Sequence, residues 1–496
     1  MVRSCVVSLF LVLVSSELFA ESPRADRVRA GLHRATSFMV GTIADHGGYA
    51  WVSSADGVHS NGEGVAGPDR IWVQPPGTPA IGLALLAAYQ ATGDQLHLQA
   101  AQAAGHALVQ GQLRSGGWGY AIEFNPQLRK SIPYRVEPQG GRERIAPTPA
   151  PGGWDVWRQR KFNTNKTLID DDTTPAAIRF LARLDQTLQF KDSEVHDAAI
   201  YALQSTLGAQ YPIGAWGHNY DRFPLQPPSR EHYPILKASY PESWTRRSQN
   251  DFNGCYMLND RATMNMIETM LLAAEIYHDD RYRQAAVRGG EFLLLAQMPL
   301  PQPAWAQQYD RFMQPVWDRK FEPPAITARE SQDVLRTLLV LFRATGDNKF
   351  LQPIPAAIAY LKTCLRPDGK LARFYELKSN KPLYFDQQYQ LTDDDREMPG
   401  HYGFVVDAHL AEIEREYERL IGKSKPKLRD ANRDDARLQA EVERLLRDQT
   451  EQGAWLSKGF VRDLRGRKVT PDEGVVESSV FIEYVNVLAE YLQSKK

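Results

Sequence analysis

"QLRSGGW" at residues 112–118 returns as "QYPIGAW" at 210–216 and as "QTEQGAW" at 449–455. Each copy of this Q-x-x-x-G-x-W pattern closes a stretch of helical periodicity. Glycine there permits a turn, the tryptophan can plug the groove between neighbouring units, and glutamine can bond carbonyls left exposed at a helix end. Working outward, apolar residues at three- and four-residue spacing predict helices over 27–44, 78–92, 95–113, 173–188, 191–208, 261–278, 281–297, 330–346, 351–365, 403–421, 431–448 and 475–494. Several pairs share a joint: "ATGD" at 91–94 and 344–347, with "YHDD" at 277–280 in the equivalent place. Gly93 and Gly346 suit a left-handed C-cap, and Asp94 and Asp347 suit the next N-cap. Self-similarity at this scale predicts an all-α fold, an (α/α) toroid of about six helical hairpins in one domain over residues 21–496. An open helical solenoid is the alternative.

Composition sets bounds on partners. Hydrophobic residues make up 43% of the 496 and the net charge is −1, so no global field favours nucleic acid or a membrane. The first twenty residues, "MVRSCVVSLFLVLVSSELFA", place Arg3 before an apolar run and an alanine at the cut, the pattern of an export signal. The expectation is an exported monomer. Once Cys5 leaves with the signal, Cys255 and Cys364 remain, either as one disulfide or as two separate thiols.

Two stretches break the repeat. Residues 119–172 and 217–260 are long, rich in proline, glycine and aromatics, and not helical by period; "EPQGGRERIAPTPAPGGW" at 137–154 reads as loop and "WGHNYDRFP" at 216–224 as short strands. Each leaves after a GGW or GAW element and returns on an acidic residue, which puts long irregular loops at one end of the toroid. "LIDDDTTPAAIRFLARL" opens a helix with Asp170, Asp171 and Asp172, and "MLNDRATMNMIETM" does so with Asn259 and Asp260. Helix capping explains one carboxylate at such a place; three in a row repel unless a cation is near. The two starts are related by the repeat and can face each other, as a hard cation or an acid–base pair requires. Further on, "WAQQYDRFMQPVWDRKFEPPAITARES" holds Asp310, Arg319 and Glu322, and "LARFYELKSNKPLYF" holds Arg373, Tyr375 and Glu376. Arginines among aromatics are suited to bidentate grip on a carboxylate, or to a salt bridge within the chain.

Taken together and in order, these segments resemble polysaccharide lyase family 10, the pectic acid (pectate) lyases. That family's I-D-N-x-A-T-T element running into I-R-F-L-A is matched by Ile169-Asp170-Asp171 running into "IRFLARL". Its GGWPQ-Y-P is matched by "GAWGHNY", its F-N-D-D-A-M by Leu258-Asn259-Asp260-Arg261-Ala262-Thr263, and its W-x-A-Q-H-D by "WAQQYD". R-A-Y-E-L-P-S-L is matched by "RKFEPPAI" and W-A-R-F-Y-E by "LARFYE", so the likeness spans roughly residues 105–420. It implies β-elimination on an acidic polysaccharide such as polygalacturonate, assisted by Ca2+. It further implies Arg319 as the base at C5 and Asp170 at the scissile sugar. Asp260 and Asp310 become metal contacts, and Arg373, Asp171, Asn259, Trp216 and Tyr375 substrate contacts. The chain departs from the pattern at Arg261, which replaces a second Asp, and Asp172 stands ready to supply oxygens instead. The family lysine after the first GGWP is absent from "GGWGY". Two other readings stay open: a toroidal glycoside hydrolase using Asp170 and Asp260 as its carboxylate pair, and a non-catalytic glycan-binding toroid.

Overall fold

The computed structural model describes residues 23–137, 164–226, 228–248, 255–423 and 431–495. The export signal at 1–20 and the proline-rich loop from residue 138 to 163 lie outside the described residues. The helices are α1 (Pro23–Phe38), α2 (Thr78–Thr92), α3 (Gln95–Gln110), a short α4 (Pro126–Arg129), α5 (Thr173–Thr187), α6 (Ser193–Gly208) and α7 (Ala262–Tyr277). They continue as α8 (Asp280–Ala296), α9 (Ala328–Thr345), α10 (Ile354–Thr363), α11 (Leu410–Leu420), α12 (Ala431–Asp448) and α13 (Ser478–Gln493).

Periodicity located twelve of these, because each buries one apolar stripe. Its boundary errors have physical causes. The helix expected over 403–421 starts only at Leu410, since Val405–Val406 is drawn into a strand pair with Leu371–Ala372. The first helix ends in a wider π turn at Met39–Ile43.

An inner ring runs α13, α2, α5, α7, α9, α11, each packing on the next, while α3 packs on both α1 and α6 outside it. This is the expected (α/α) toroid, with one difference. Four inner–outer pairs, α2–α3, α5–α6, α7–α8 and α9–α10, pack as hairpins in sequence; another pair joins α13 to α1, so elements far apart along the chain complete it. Val52–Ser54 pairing with Val475–Glu477 pins the same closure. Tight joints lie at one end: Gly93 and Gly346 are left-handed C-caps, and Asp94 and Asp347 accept from the backbone of the next turn. All the long connections run from an outer helix to the next inner one and gather at the other end.

The Q-x-x-x-G-x-W elements link neighbouring outer helices. Gln112 Nε2 donates to Gly116 O (2.9 Å) and to Ala198 O on α6 (2.8 Å). Gln210 does the same to Gly214 O and Ala285 O on α8, and Gln449 to Gly453 O and Gly31 O on α1. The expectation that glutamine bonds carbonyls exposed at a helix end is therefore corrected: it bonds a carbonyl of its own turn and one inside the next outer helix. Glycine is required twice over. Gly214 has φ 103°, and a Cβ there would lie 2.0 Å from Arg288 O. The indoles of Trp118 and Trp216 are fully buried and donate to Leu108 O and Thr206 O. A fourth joint escaped the sequence pattern because it is two residues longer, carries three prolines and lacks the glycine: Gln297 bonds Pro303 O and Pro353 O, and Trp305 donates to Leu293 O.

Cys255 and Cys364 are separate thiols. Among the described residues no helix is long and apolar enough to cross a membrane.

Candidate active site

Inner helices α5 and α7 begin with the same device. A two-residue strand, Thr167–Leu168 or Tyr256–Met257, pairs antiparallel with the strand that follows the next tryptophan, Asn219–Tyr220 or Gln308–Tyr309. The residue two places after that tryptophan clasps the turn. His218 O accepts from Ile169 N (2.8 Å) and Asp170 N (3.1 Å), and Gln307 O accepts from Leu258 N (2.9 Å) and Asn259 N (3.0 Å). The chain then takes two left-handed residues before the helix: Asp171 and Asp172 (φ 50° and 59°), Asp260 and Arg261 (φ 45° and 62°). Each such residue costs ~1–2 kcal/mol, least for Asp and Asn, and strain of this kind gathers at functional sites. The outcome is that Asp170, Asp171 and Asp260 meet, with one carboxylate oxygen of each within 4.8 Å of the others.

Burial and mutual repulsion act on this triad. Burial, then Asp170 and Asp260, push the Asp171 carboxyl up to about 7. Burial, then Asp170 and Glu330, push Asp260 up to about 6. Burial opposes ionisation of Asp170 as well, but His218 and Arg319 outweigh it and hold Asp170 below the usual carboxylate range. His218 lies between Asp170 (3.2 Å) and Asp318 (3.2 Å); those two anions keep its imidazole charged against the cost of its burial. Tyr120 places its hydroxyl 3.3 Å from Asp170 and 3.2 Å from Asp171. Two carboxyls raised by burial and by the charge of an ionised third are what a hard divalent cation relieves, so the residues present fit such a cation.

Arg319 stands beside the triad, close enough for its charge to be felt by Asp170 and Asp260. Its guanidinium grips Glu322 in a two-point pair (2.7 and 2.5 Å), and Glu322 is fully buried. Glu322 also accepts from Gln307 (2.9 Å) and Tyr402 (2.9 Å). Although burial works the other way, this pairing raises the Arg319 pKa further, which opposes the expected role as a base.

Several other expectations need correction. Asp310 is not at the triad; its carboxylate accepts from Phe312 N and Gln314 N and closes its own turn. Trp216 is fully buried at a helix joint, and Tyr375 is 3% exposed with its hydroxyl donating to Cys364 O (2.8 Å), so neither presents a ring to substrate. Asn259 is 2% exposed and accepts from Gln307 (2.5 Å), which ties the second helix start to Glu322. Arg373 pairs with Glu330 (2.7 Å) beneath the Tyr402 ring, 2% exposed, near Asp260 but covered.

Arg261 does not intrude on the triad, and Asp172 does not replace a lost ligand. These two positions are equivalent in the repeat and run down their helices with opposite charge: Asp172 pairs with Arg179, Arg261 with Glu268. What sequence reading missed were Tyr120, His218 and Gln307. Their signal was available, since each sits two residues after a tryptophan at a helix joint.

The pectic acid lyase family model matches residues 152–368, which include the triad, Arg319 and Glu322. This segment is similar to the pectic acid lyase family. The matched segment covers the helix starts that build the triad; Arg373 falls beyond it. No curated protein matches the chain significantly. Similar solved structures include a family 10 polysaccharide lyase from Cellvibrio cellulosa at 17% identity, covering 69% of this chain and 98% of that one, TM-score 0.43. A mutant of that lyase in complex with trigalacturonic acid matches at 17% identity over 69% of this chain and 98% of the other, TM-score 0.42. Cellobiose 2-epimerase from Spirochaeta thermophila is 12% identical over 96% of this chain and 99% of its own, TM-score 0.46. Likenesses this distant leave the reaction to be read from the site itself.

Proposed function

We propose that the chain is an exported pectate lyase that cleaves polygalacturonate, or a closely related uronan, by calcium-assisted β-elimination. The observation that carries this reading is the carboxylate triad, built from two equivalent helix starts inside the pectic acid lyase segment, with Arg319 beside it. Asp170, Asp171 and Asp260 would hold the cation. When bound, calcium draws charge from the uronate carboxylate and so acidifies the hydrogen at C5.

In the elimination the C5 proton leaves, its electron pair becomes the C4–C5 double bond, and the C4 oxygen departs and takes up a proton. Negative charge grows on the uronate carboxylate meanwhile, and the Arg319 cation is placed to offset it. To act as the base, Arg319 must first be neutral, and Glu322 resists that. The base assignment therefore requires bound cation and substrate to loosen the Glu322 grip.

A second reading is favoured by one observation: the Asp260 carboxyl is pushed up to about 6 while Asp170 is held ionised, as the acid and base of a glycoside hydrolase would be. One assay decides between them. The protein is incubated with polygalacturonate and calcium, then with chelator, while the ultraviolet absorbance of the 4,5-unsaturated product is followed. Calcium-dependent absorbance supports elimination; new reducing ends without absorbance would replace it by hydrolysis; retained binding without cleavage would leave a glycan-binding toroid.

A further inference from the structure

Most cations described at this mouth are neutralised by an acid of their own. Arg319 is paired with Glu322, Arg373 with Glu330, Arg179 with Asp172, Arg261 with Glu268 and Asp333, and His218 lies between two aspartates. A divalent cation in the triad would cancel two of its three carboxylates. Such a mouth has no net positive charge with which to admit a polyanion, and a row of uronates would meet repulsion.

Lys320 and Arg329 are different. Both are exposed, and among the described residues neither has a carboxylate partner. Lys320 follows Arg319 directly, and its ammonium rests 3.5 Å above the Tyr389 ring. That cation–π contact holds the side chain in place without cancelling its charge. Arg329 lies in the first turn of α9, which packs against the Asn259–Arg261 turn that carries Asp260. It faces solvent two residues before Ser331, which accepts from Trp305 N as Thr174 accepts from Trp118 N and Thr263 from Trp216 N, so its position is equivalent to Asp172 and Arg261, where α5 and α7 carry a paired charge.

We propose that Lys320 and Arg329 are specificity-determining residues that each bind the free carboxylate of a uronate flanking the one at the triad. The substrate is then a run of consecutive unesterified uronates. This rests on the uronan reading above, and the test separates the two. Lys320→Gln and Arg329→Gln are compared with the charge-keeping Lys320→Arg and Arg329→Lys in the full chain, on polygalacturonate and on its methyl-esterified form. Affinity for a galacturonate oligomer is measured by calorimetry alongside KM and kcat.

Each glutamine variant is expected to raise KM on the unesterified polymer by about tenfold, the loss of one charge-assisted contact, with little change in kcat. The effect should vanish on the esterified polymer, and the charge-keeping variants should recover most of the affinity. Equal effects on both polymers, or a glutamine variant that binds the oligomer as the wild type does, would overturn the assignment. If the wild type forms no unsaturated product from any uronan, the lyase reading fails; the two clamps then stand or fall on calorimetry alone.

Discussion

Replacing Asp260 by asparagine should make the cation-free protein more stable, not less, and the gain should depend on pH. Among the described residues Asp260 accepts no hydrogen bond, and asparagine tolerates the same left-handed backbone (φ 45°), so the exchange removes charge and little else. The Asp260 carboxyl is pushed from the ordinary 3.8 up to about 6 by burial, Asp170 and Glu330. A carboxyl with a raised pKa binds its proton more tightly in the folded state. Its share of stability is therefore fully present below the unfolded pKa and is lost as pH climbs from about 4 to about 6, then stays lost. Two pKa units correspond to roughly 3 kcal/mol, and screening at a partly open mouth reduces this to ~1–2 kcal/mol. The assay is urea denaturation of both proteins with chelator at pH 5 and pH 8, repeated with calcium. Asp260→Asn should be the more stable by ~1–2 kcal/mol at pH 8, and the gap should shrink at pH 5. Calcium should reverse the order, because the wild type alone keeps the full triad. A variant less stable than the wild type in chelator at pH 8, or a gap independent of pH, would refute the reasoning.

Other outcomes follow from the same geometry. Glu322→Gln removes the anion that keeps Arg319 charged; if Arg319 is the base, the rising limb of the pH–rate profile should move to lower pH, and an unmoved limb would leave Arg319 as a charge clamp only. Gly214→Ala places a Cβ 2.0 Å from Arg288 O at φ 103°, so it should cost more than about 3 kcal/mol in denaturation. Gly93→Ala, with open space around its Cβ, should cost only about 1 kcal/mol. Trp216→Phe loses the bond to Thr206 O and should lower stability by ~1–3 kcal/mol while KM stays within about twofold of wild type. A large rise in KM would return Trp216 to the substrate.

Much of the fold was legible because its cause is local. A helix that buries one face repeats its apolar residues every three or four positions, and a Gly–Asp joint caps one helix and starts the next, so α2 and α12 were bounded to the residue. The joint motif is short because glycine, glutamine and tryptophan act within one turn and its neighbour. The candidate site was half legible. Acidic helix starts at 170–172 and 259–260 pointed to the mouth, yet composition gave no means of telling Asp171, which reaches the triad, from Asp172, which pairs with Arg179. Nor could it show that Arg373 is covered by Tyr402, or that Asp310 closes a turn.

The amino-acid sequence by itself determined the helical repeat, the end of the toroid that carries the long loops, and the family that its central segment resembles, since all three rest on residues near one another along the chain. Only the tertiary structure decided which carboxylates meet, which cations are already paired and which are left over. Those outcomes depend on two left-handed residues at each helix start and on contacts between repeats, such as His218 holding Asp170 and Gln307 holding Asn259. Charge acts through space over distances that bear no relation to separation along the chain.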